Sequence, residues 1–330
     1  MTGNRYYSGP VSDHFDGERF FAPGRSTDKT LGAMANWVLR ERRAPWPRAY
    51  PSPFFDRPPF KVAGGALRIA YIGHASFLIQ TRGLNLLIDP VYAKRASPTR
   101  WAGPARVNAP GVAFDDLPPI DFVLVTHNHY DHLDLSTLSR LNARWRPRIL
   151  TPLGNDAIIR AHDGALSVEA YDWGAEVRLA QEVDAHFLPS NHWSARGLSD
   201  RRMALWCSFL IETPEGPIYC IGDTGFGDGA IFRDVSSRFG PPRLALIPIG
   251  AYEPRWFMMD QHVNPSEAVR IFQLCGARQA VAHHWGTFHL SNEAIEDPPS
   301  ALKEALREAA IHDGRFRVVR PGEVYEEAEV

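Results

Sequence analysis

From about Lys61 onward the chain alternates short apolar runs with Gly, Pro and Asp punctuation. Residues 66–73, 76–80 and 84–90 read as three successive strands, with Arg82-Gly83 as the turn between the last two. A fourth buried strand is expected at Phe122-Val123-Leu124-Val125, after a connection rich in Pro and Gly. Strand-like runs recur at 148–151, 182–188, 204–213 and 217–221, and helical spacing at 133–143, 155–162, 265–275 and 299–310. Strands interleaved with helices in this way predict an α/β fold of two sheets packed face to face with helices outside. Residues 1–60 have little clean periodicity and many Pro, Arg and aromatic residues. Within them 31–43 has helical spacing, with Leu31, Met34, Trp37 and Val38 near one face and Pro45-Trp46-Pro47 as the stop. We read 1–60 as an extension packed on a main domain at 61–330; a lipid-facing segment is the other reading, since aromatic and basic residues together suit an interface.

Composition narrows the class without naming it. At 330 residues, 44% hydrophobic and 22% charged, the chain can bury a sizeable core. The net charge of −2, from 36 basic and 38 acidic residues, gives no reason to expect nucleic acid as a partner. Three cysteines without a C-x-x-C pair suggest neither a disulfide framework nor a cysteine zinc site. Together with an N-terminus lacking an apolar segment, and no apolar run near the roughly 18 residues that span a bilayer, this places the expected location in the cytoplasm. At most the protein would be peripheral to the inner membrane surface.

The chemistry is concentrated after the fourth strand. His127-x-His129-x-Asp131-His132 offers four donors within six residues. Imidazole and carboxylate suit zinc and its first-row neighbours, against the plainer reading of a polar loop that happens to hold histidines. Three later residues, His192, Asp223 and His284, each follow a strand-like run. One ion would take His127, His129 and His192; the other would take Asp131, His132 and His284. Asp223 would bridge them, because a carboxylate has two oxygens. Ions about 3.5–4 Å apart would trap a water and lower its pKa.

This order of ligands resembles the metallo-β-lactamase superfamily, and the resemblance implies a four-layer αβ/βα sandwich with two divalent ions, expected to be Zn2+, along one edge. Asp89 in Leu87-Ile88-Asp89-Pro90 matches that superfamily's non-ligand Asp. The stretches GHAS (73–76), LPPIDFVLVTHNHYDHLD (117–134), GDTG (222–225), IPIGAYEPRWFM (247–258), QHVNPSEAVRI (261–271) and HHWGTF (283–288) are similar to the N-acyl-phosphatidylethanolamine-hydrolysing phospholipase D branch and its bacterial relatives. That resemblance implies hydrolysis of a phospholipid phosphodiester to phosphatidic acid and an N-acyl ethanolamine by a hydroxide held between the ions, with Asp131 and Asp223 as catalytic carboxylates. It further implies that Tyr130 and His262 contact substrate, and it brings a homodimer and peripheral membrane contact as expectations. His74 and His283 fit supporting roles better than ligation, and His289 fits a leaving-group contact poorly. Trp256, Phe257, Met258 and Met259 could line an acyl groove or belong to the core. Two other functions compete: a metal-dependent lactonase or ester hydrolase on a small soluble substrate, phosphorylated or not, and a non-catalytic membrane-associated protein.

Overall fold

A computed structural model describes residues 3–24, 28–30, 32, 36–37 and 41–328. The helix expected over 31–43 falls largely outside the described residues. Among them, two seven-stranded sheets form. The first runs β14-β1-β2-β3-β4-β5-β6, from β1 (Leu67–Gly73), β2 (Ser76–Thr81), β3 (Leu84–Ile88), β4 (Phe122–Leu124), β5 (Arg148–Pro152), β6 (Val168–Tyr171) and β14 (Val324–Glu327). The second runs β13-β12-β11-β10-β9-β8-β7, from β7 (Glu176–Ala180), β8 (Val183–Leu188), β9 (Ser208–Glu212), β10 (Ile218–Cys220), β11 (Leu244–Pro248), β12 (Gln279–His283) and β13 (Phe316–Val318).

Period-two alternation explains the layering. In β1, Leu67, Ile69 and Tyr71 face the second sheet and meet Phe187, Phe209 and Leu246, while Ala70 and Ile72 face outward. That outer face is covered by helices α1 (Leu135–Trp145) and α2 (Asn155–His162), through Leu138, Leu141, Ile158 and Ile159. On the other side, α3 (Ala230–Phe239), α5 (Pro265–Cys275) and α6 (Asp297–Glu308) cover Tyr219, Ala245 and Ile247 with Phe232, Val269, Phe272 and Leu302. A short helix, α4 (Arg255–Met258), precedes α5. The result is an αβ/βα sandwich. Because β1 is buried along its whole length, it reads in sequence as a continuous apolar run rather than an alternating one.

Strand direction gathers the chemistry. Strands β3, β4 and β5 pair in parallel, as do β10, β11 and β12; two antiparallel steps relate β1 to β3 and β8 to β10. Hence β1, β3 and β4 end at one edge of the first sheet, and β8, β10 and β12 end at one edge of the second. The residues that follow those ends are His74, Asp89, 125–134, His192, Asp223 and His284. An edge at the carboxyl ends of parallel strands is where ligands bind in open α/β sheets generally.

Several boundaries differ from expectation for local reasons. The first helix begins two residues later than 133, because Asp134 caps it by accepting from the Thr137 backbone N–H at 3.2 Å. Residues 204–207 lie outside β9: Leu205 N–H donates to Leu153 O at 2.8 Å and Cys207 N–H to Thr126 O at 2.9 Å, so they stitch the second sheet to the first. The last helix spans Asp297–Glu308 rather than 299–310, since proline is tolerated in a first turn whose N–H groups have no intrahelical partner. Near the N-terminus, Phe15 and Phe20 pack with Leu205 and Trp206, and Asp56 pairs with the buried Arg68 guanidinium at 2.6 and 3.0 Å.

Candidate metal centre

The loop after β4 presents its donors inward because its backbone is tied down at both ends. Asp89, buried at the end of β3, accepts from the Thr126 N–H at 2.7 Å, from the Thr126 hydroxyl at 2.6 Å and from His132 Nδ1 at 2.7 Å. The Thr126 oxygen lies 3.0 Å from His127 Nδ1 and accepts its proton. One carboxylate therefore fixes two imidazoles, directly and through a hydroxyl, and leaves Nε2 of both facing the centre. His192 donates from Nδ1 to Gln261 O at 2.9 Å, with the same result. At the other end of the loop, Arg196 donates to Asn128 O at 2.8 Å and to Leu133 O at 3.0 Å.

Two groups of donors converge. His127, His129, His192 and Asp223 form one; His74, Asp131, His132 and His284 form the other; Asp223, His262 and His284 overlap both. Asp223 Oδ2 lies 3.8 Å from His127 Nε2, 3.5 Å from His192 Nε2 and 3.3 Å from His132 Nε2, and its Oδ1 lies 3.0 Å from His284 Nε2. Asp131 Oδ2 lies 3.6 Å from His132 Nε2 and 3.5 Å from His284 Nε2. The geometry thus brings together all seven residues proposed as ligands from the sequence.

The donor set fits cations. His129 Nδ1 lies 2.9 Å from His127 Nε2 and 3.2 Å from His192 Nε2. Since His127 and His192 each carry their proton on Nδ1, both Nε2 atoms are bare lone pairs, and a single proton on His129 Nδ1 satisfies only one of them. A cation satisfies all three: tetrahedral Zn–N bonds of about 2.0–2.1 Å separate nitrogens by about 3.4 Å. Buried His132 Nε2, His284 Nε2 and Asp223 Oδ1 have no hydrogen-bond partner, a condition a protein interior tolerates where an ion or water is to bind. Burial holds His129 and His192 down to about 3 and, with His132 beside it, His127 well below its ordinary range, so this trio is neutral and ready to ligate. For His132 and His284 burial works in the same direction but is overcome by Asp223 and Asp131, which raise His132 well above its ordinary range and His284 to about 9.

Backbone crowding keeps the ends in register. A Cβ on Gly222, just before Asp223, would stand 2.9 Å from the Thr126 side chain, and one on Gly250 would stand 2.1 Å from His284 O.

His74 donates to Asp131 Oδ2 at 2.9 Å, and His283 donates to Ile221 O at 2.9 Å, two residues before Asp223. His262 Nδ1 is buried without a hydrogen-bond partner, 3.9 Å from Asp223 Oδ2. The Tyr130 hydroxyl donates to Arg196 O at 2.9 Å, under the Arg196 guanidinium, so it is engaged by backbone here. His289 stacks on Trp46 and joins none of the donor groups. The 256–259 cluster divides: Phe257 and Met258 are buried, whereas Trp256 and Met259 are exposed. Arg196, Gln261 and Thr126 were not singled out in the sequence. Gln261 acts through its carbonyl, which every residue has, and Arg196 is linked to the loop only by folding.

A family model, the Beta-lactamase superfamily domain, matches residues 84–285 and so spans the centre from β3 to Trp285. The chain belongs to the metallo-β-lactamase superfamily. Within that superfamily, it is 38% identical over 266 residues to N-acyl-phosphatidylethanolamine-hydrolyzing phospholipase D 1 of Caenorhabditis elegans, covering 78% of this chain and 74% of the relative. It is 28% identical over 260 residues to a UPF0173 metal-dependent hydrolase of Caldivirga maquilingensis, covering 78% of this chain and 96% of that one. Among solved structures, the metallo hydrolase Igni18 of Ignicoccus hospitalis superposes with a TM-score of 0.60 at 19% identity, covering 80% of this chain and all of that one, which shows a shared fold. The protein is a metal-dependent hydrolase of the metallo-β-lactamase superfamily.

Proposed function

We propose that this protein is a phosphodiesterase of phospholipase D type that binds two zinc ions and cleaves N-acyl-phosphatidylethanolamine-like lipids to phosphatidic acid and an N-acyl ethanolamine. The observation that carries the two-ion reading is the position of Asp223, whose oxygens face His127 and His192 on one side and His284 on the other. The lipid reading is supported by the name of the relative that is 38% identical across most of both chains. Divalent ions held there would supply an activated water and neutralise the non-bridging oxygens of a phosphodiester.

The protein's own groups have separable tasks in this reading. Asp89 and Gln261 engage Nδ1 of His127, through Thr126, of His132 and of His192, so that Nε2 of each faces the centre. His74 fixes Asp131 by occupying one side of its Oδ2. His262 Nδ1, buried and unpartnered beside Asp223, is the group placed to hydrogen-bond a phosphate oxygen. Tyr130 takes part once its hydroxyl exchanges the Arg196 carbonyl for substrate.

The test is a side-by-side assay of the metal-loaded protein on N-acyl-phosphatidylethanolamine, a lactone panel and a bis-aryl phosphodiester. Turnover of the lipid and the diester, with the lactones inert, is expected. Lactone turnover alone would replace this reading with that of an ester hydrolase. Asp223→Asn should lower diester turnover by at least about a hundredfold with the fold intact; unchanged turnover would remove Asp223 from its bridging role.

A further inference from the structure

Beside the metal centre, and separate from its ligands, a cavity of about 470 Å³ opens between residues 92–100 and the first turn of α1. Its volume is within the range of small-molecule sites. Four cations line it: Lys94, Arg95, Arg100 and Arg140. Among the described residues, none of these forms an ion pair: Arg95 donates to Gly103 O at 2.5 Å and Arg140 lies over the Phe114 ring at 3.6 Å. Asp134 also lines the cavity, but its carboxylate is taken up by other donors. Oδ2 accepts from the Tyr92 and Ala93 N–H groups and the Thr137 hydroxyl, and Oδ1 accepts from the Thr137 N–H. Four like charges around one cavity repel unless an anion joins them, and this on a chain whose net charge is −2. The hydroxyl residues Ser97 and Thr99 add neutral donors to the same wall. A solvated basic face would leave its guanidinium groups on a convex surface; here they surround a concavity. Arginine forks in such a setting suit the oxygens of a phosphate.

We propose that this cavity is a second, non-catalytic anion site that takes a phosphate group, borne either by a soluble phosphomonoester or inorganic phosphate or by a phospholipid headgroup. A smaller adjoining cavity, of about 140 Å³, is lined by Arg95 and Asp134 and also by Tyr130 and Arg196. The anion site therefore adjoins Tyr130 of the metal-bearing loop and Arg196, which donates to that loop at Asn128 O and Leu133 O.

The test uses the metal-loaded, full-length protein and the double variant Lys94→Ser/Arg100→Ser, with Arg140→Gln as an independent second variant. All three positions are exposed, and thermal melting checks that each variant folds. Inorganic phosphate is titrated calorimetrically, and co-flotation is measured with phosphatidylcholine vesicles with and without phosphatidic acid. Phosphate bound at the metal centre is common to wild type and variants. The expected result is an additional binding event in the wild type that is weakened at least about tenfold in both variants, while basal turnover of a bis-aryl phosphodiester is unchanged. If the variants lose the phosphate event, the site reads soluble phosphate. If they lose only phosphatidic-acid-dependent flotation, it reads the lipid headgroup. Phosphate and vesicle binding indistinguishable between wild type and both variants overturns the proposal.

Discussion

Replacing Asp89 by Asn tests how far the metal centre depends on a residue that touches no metal. The carboxylate receives three short hydrogen bonds, and Oδ2 serves both the Thr126 hydroxyl and His132 Nδ1. An Asn placed to keep the Thr126 N–H bond turns its NH2 toward His132, where two donors would face each other. His132 relieves the conflict by moving its proton to Nε2, which then cannot ligate. The lost bond is charge-assisted and worth about 1.5–3 kcal/mol, or between one and two powers of ten in affinity at 1.4 kcal/mol per decade. Measured losses for such supporting groups fall in the same range of about 10–100-fold. Because Thr126 can still orient His127, the loss should fall on the ion at Asp131, His132 and His284 and spare the other. Competition with a graded series of chelators, read by metal content per chain, separates the two ions. Equal affinity of Asp89→Asn and wild type for both ions would refute the tautomer argument, and equal loss from both would refute its asymmetry.

The same logic gives a proton count. In the metal-free protein His129 and His192 are held near 3 by burial, whereas His284, against burial, is raised to about 9 by Asp223 and Asp131. At pH 7 His132, also raised well above its ordinary range by Asp223 and Asp131, and His284 must therefore each shed a proton to ligate, while His129 and His192 do not. Affinity for the ion at His132 and His284 should rise with pH across the neutral range, and affinity for the other should be flat there. Calorimetry in two buffers of different ionisation enthalpy reads this directly; no proton release at pH 7 contradicts it. Trp206→Ala should destabilise the fold by about 3–5 kcal/mol, since the ring is fully buried against Phe15 and Phe20 and its Nε1 donates to Ser190 O at 2.8 Å. Denaturant unfolding measures this, and a loss below about 1 kcal/mol would mean that the N-terminal segment packs on this face only weakly.

What the sequence disclosed depended on whether a residue's role was local. Strands β1 to β4 were legible because each is a short apolar run closed by turn residues. Strand β11, Leu-Ala-Leu-Ile-Pro, is as apolar as β3 and equally long, and was nevertheless passed over, since so short a run carries no period of its own that separates strand from helix. Edge strands β7 and β14 are half-exposed and polar, and passed as loop. The seven donors were legible because they follow strand ends in a fixed order, and parallel pairing then carries those ends to one edge. The supporting shell was not. Asp89 and His74 could be marked by their motifs, but the bond from His192 to the Gln261 carbonyl and the hold of Arg196 on Asn128 and Leu133 exist only once distant segments meet. The cationic cavity is of the same kind: Arg140 joins Lys94, Arg95 and Arg100 only because α1 lies beside residues 92–100.

The most direct test of the account is the number of transition-metal ions bound per chain, measured by elemental analysis after purification without chelators and re-equilibration with zinc. Two are expected, falling to one or fewer in Asp223→Asn. A wild-type protein that binds none, while remaining folded, would contradict it.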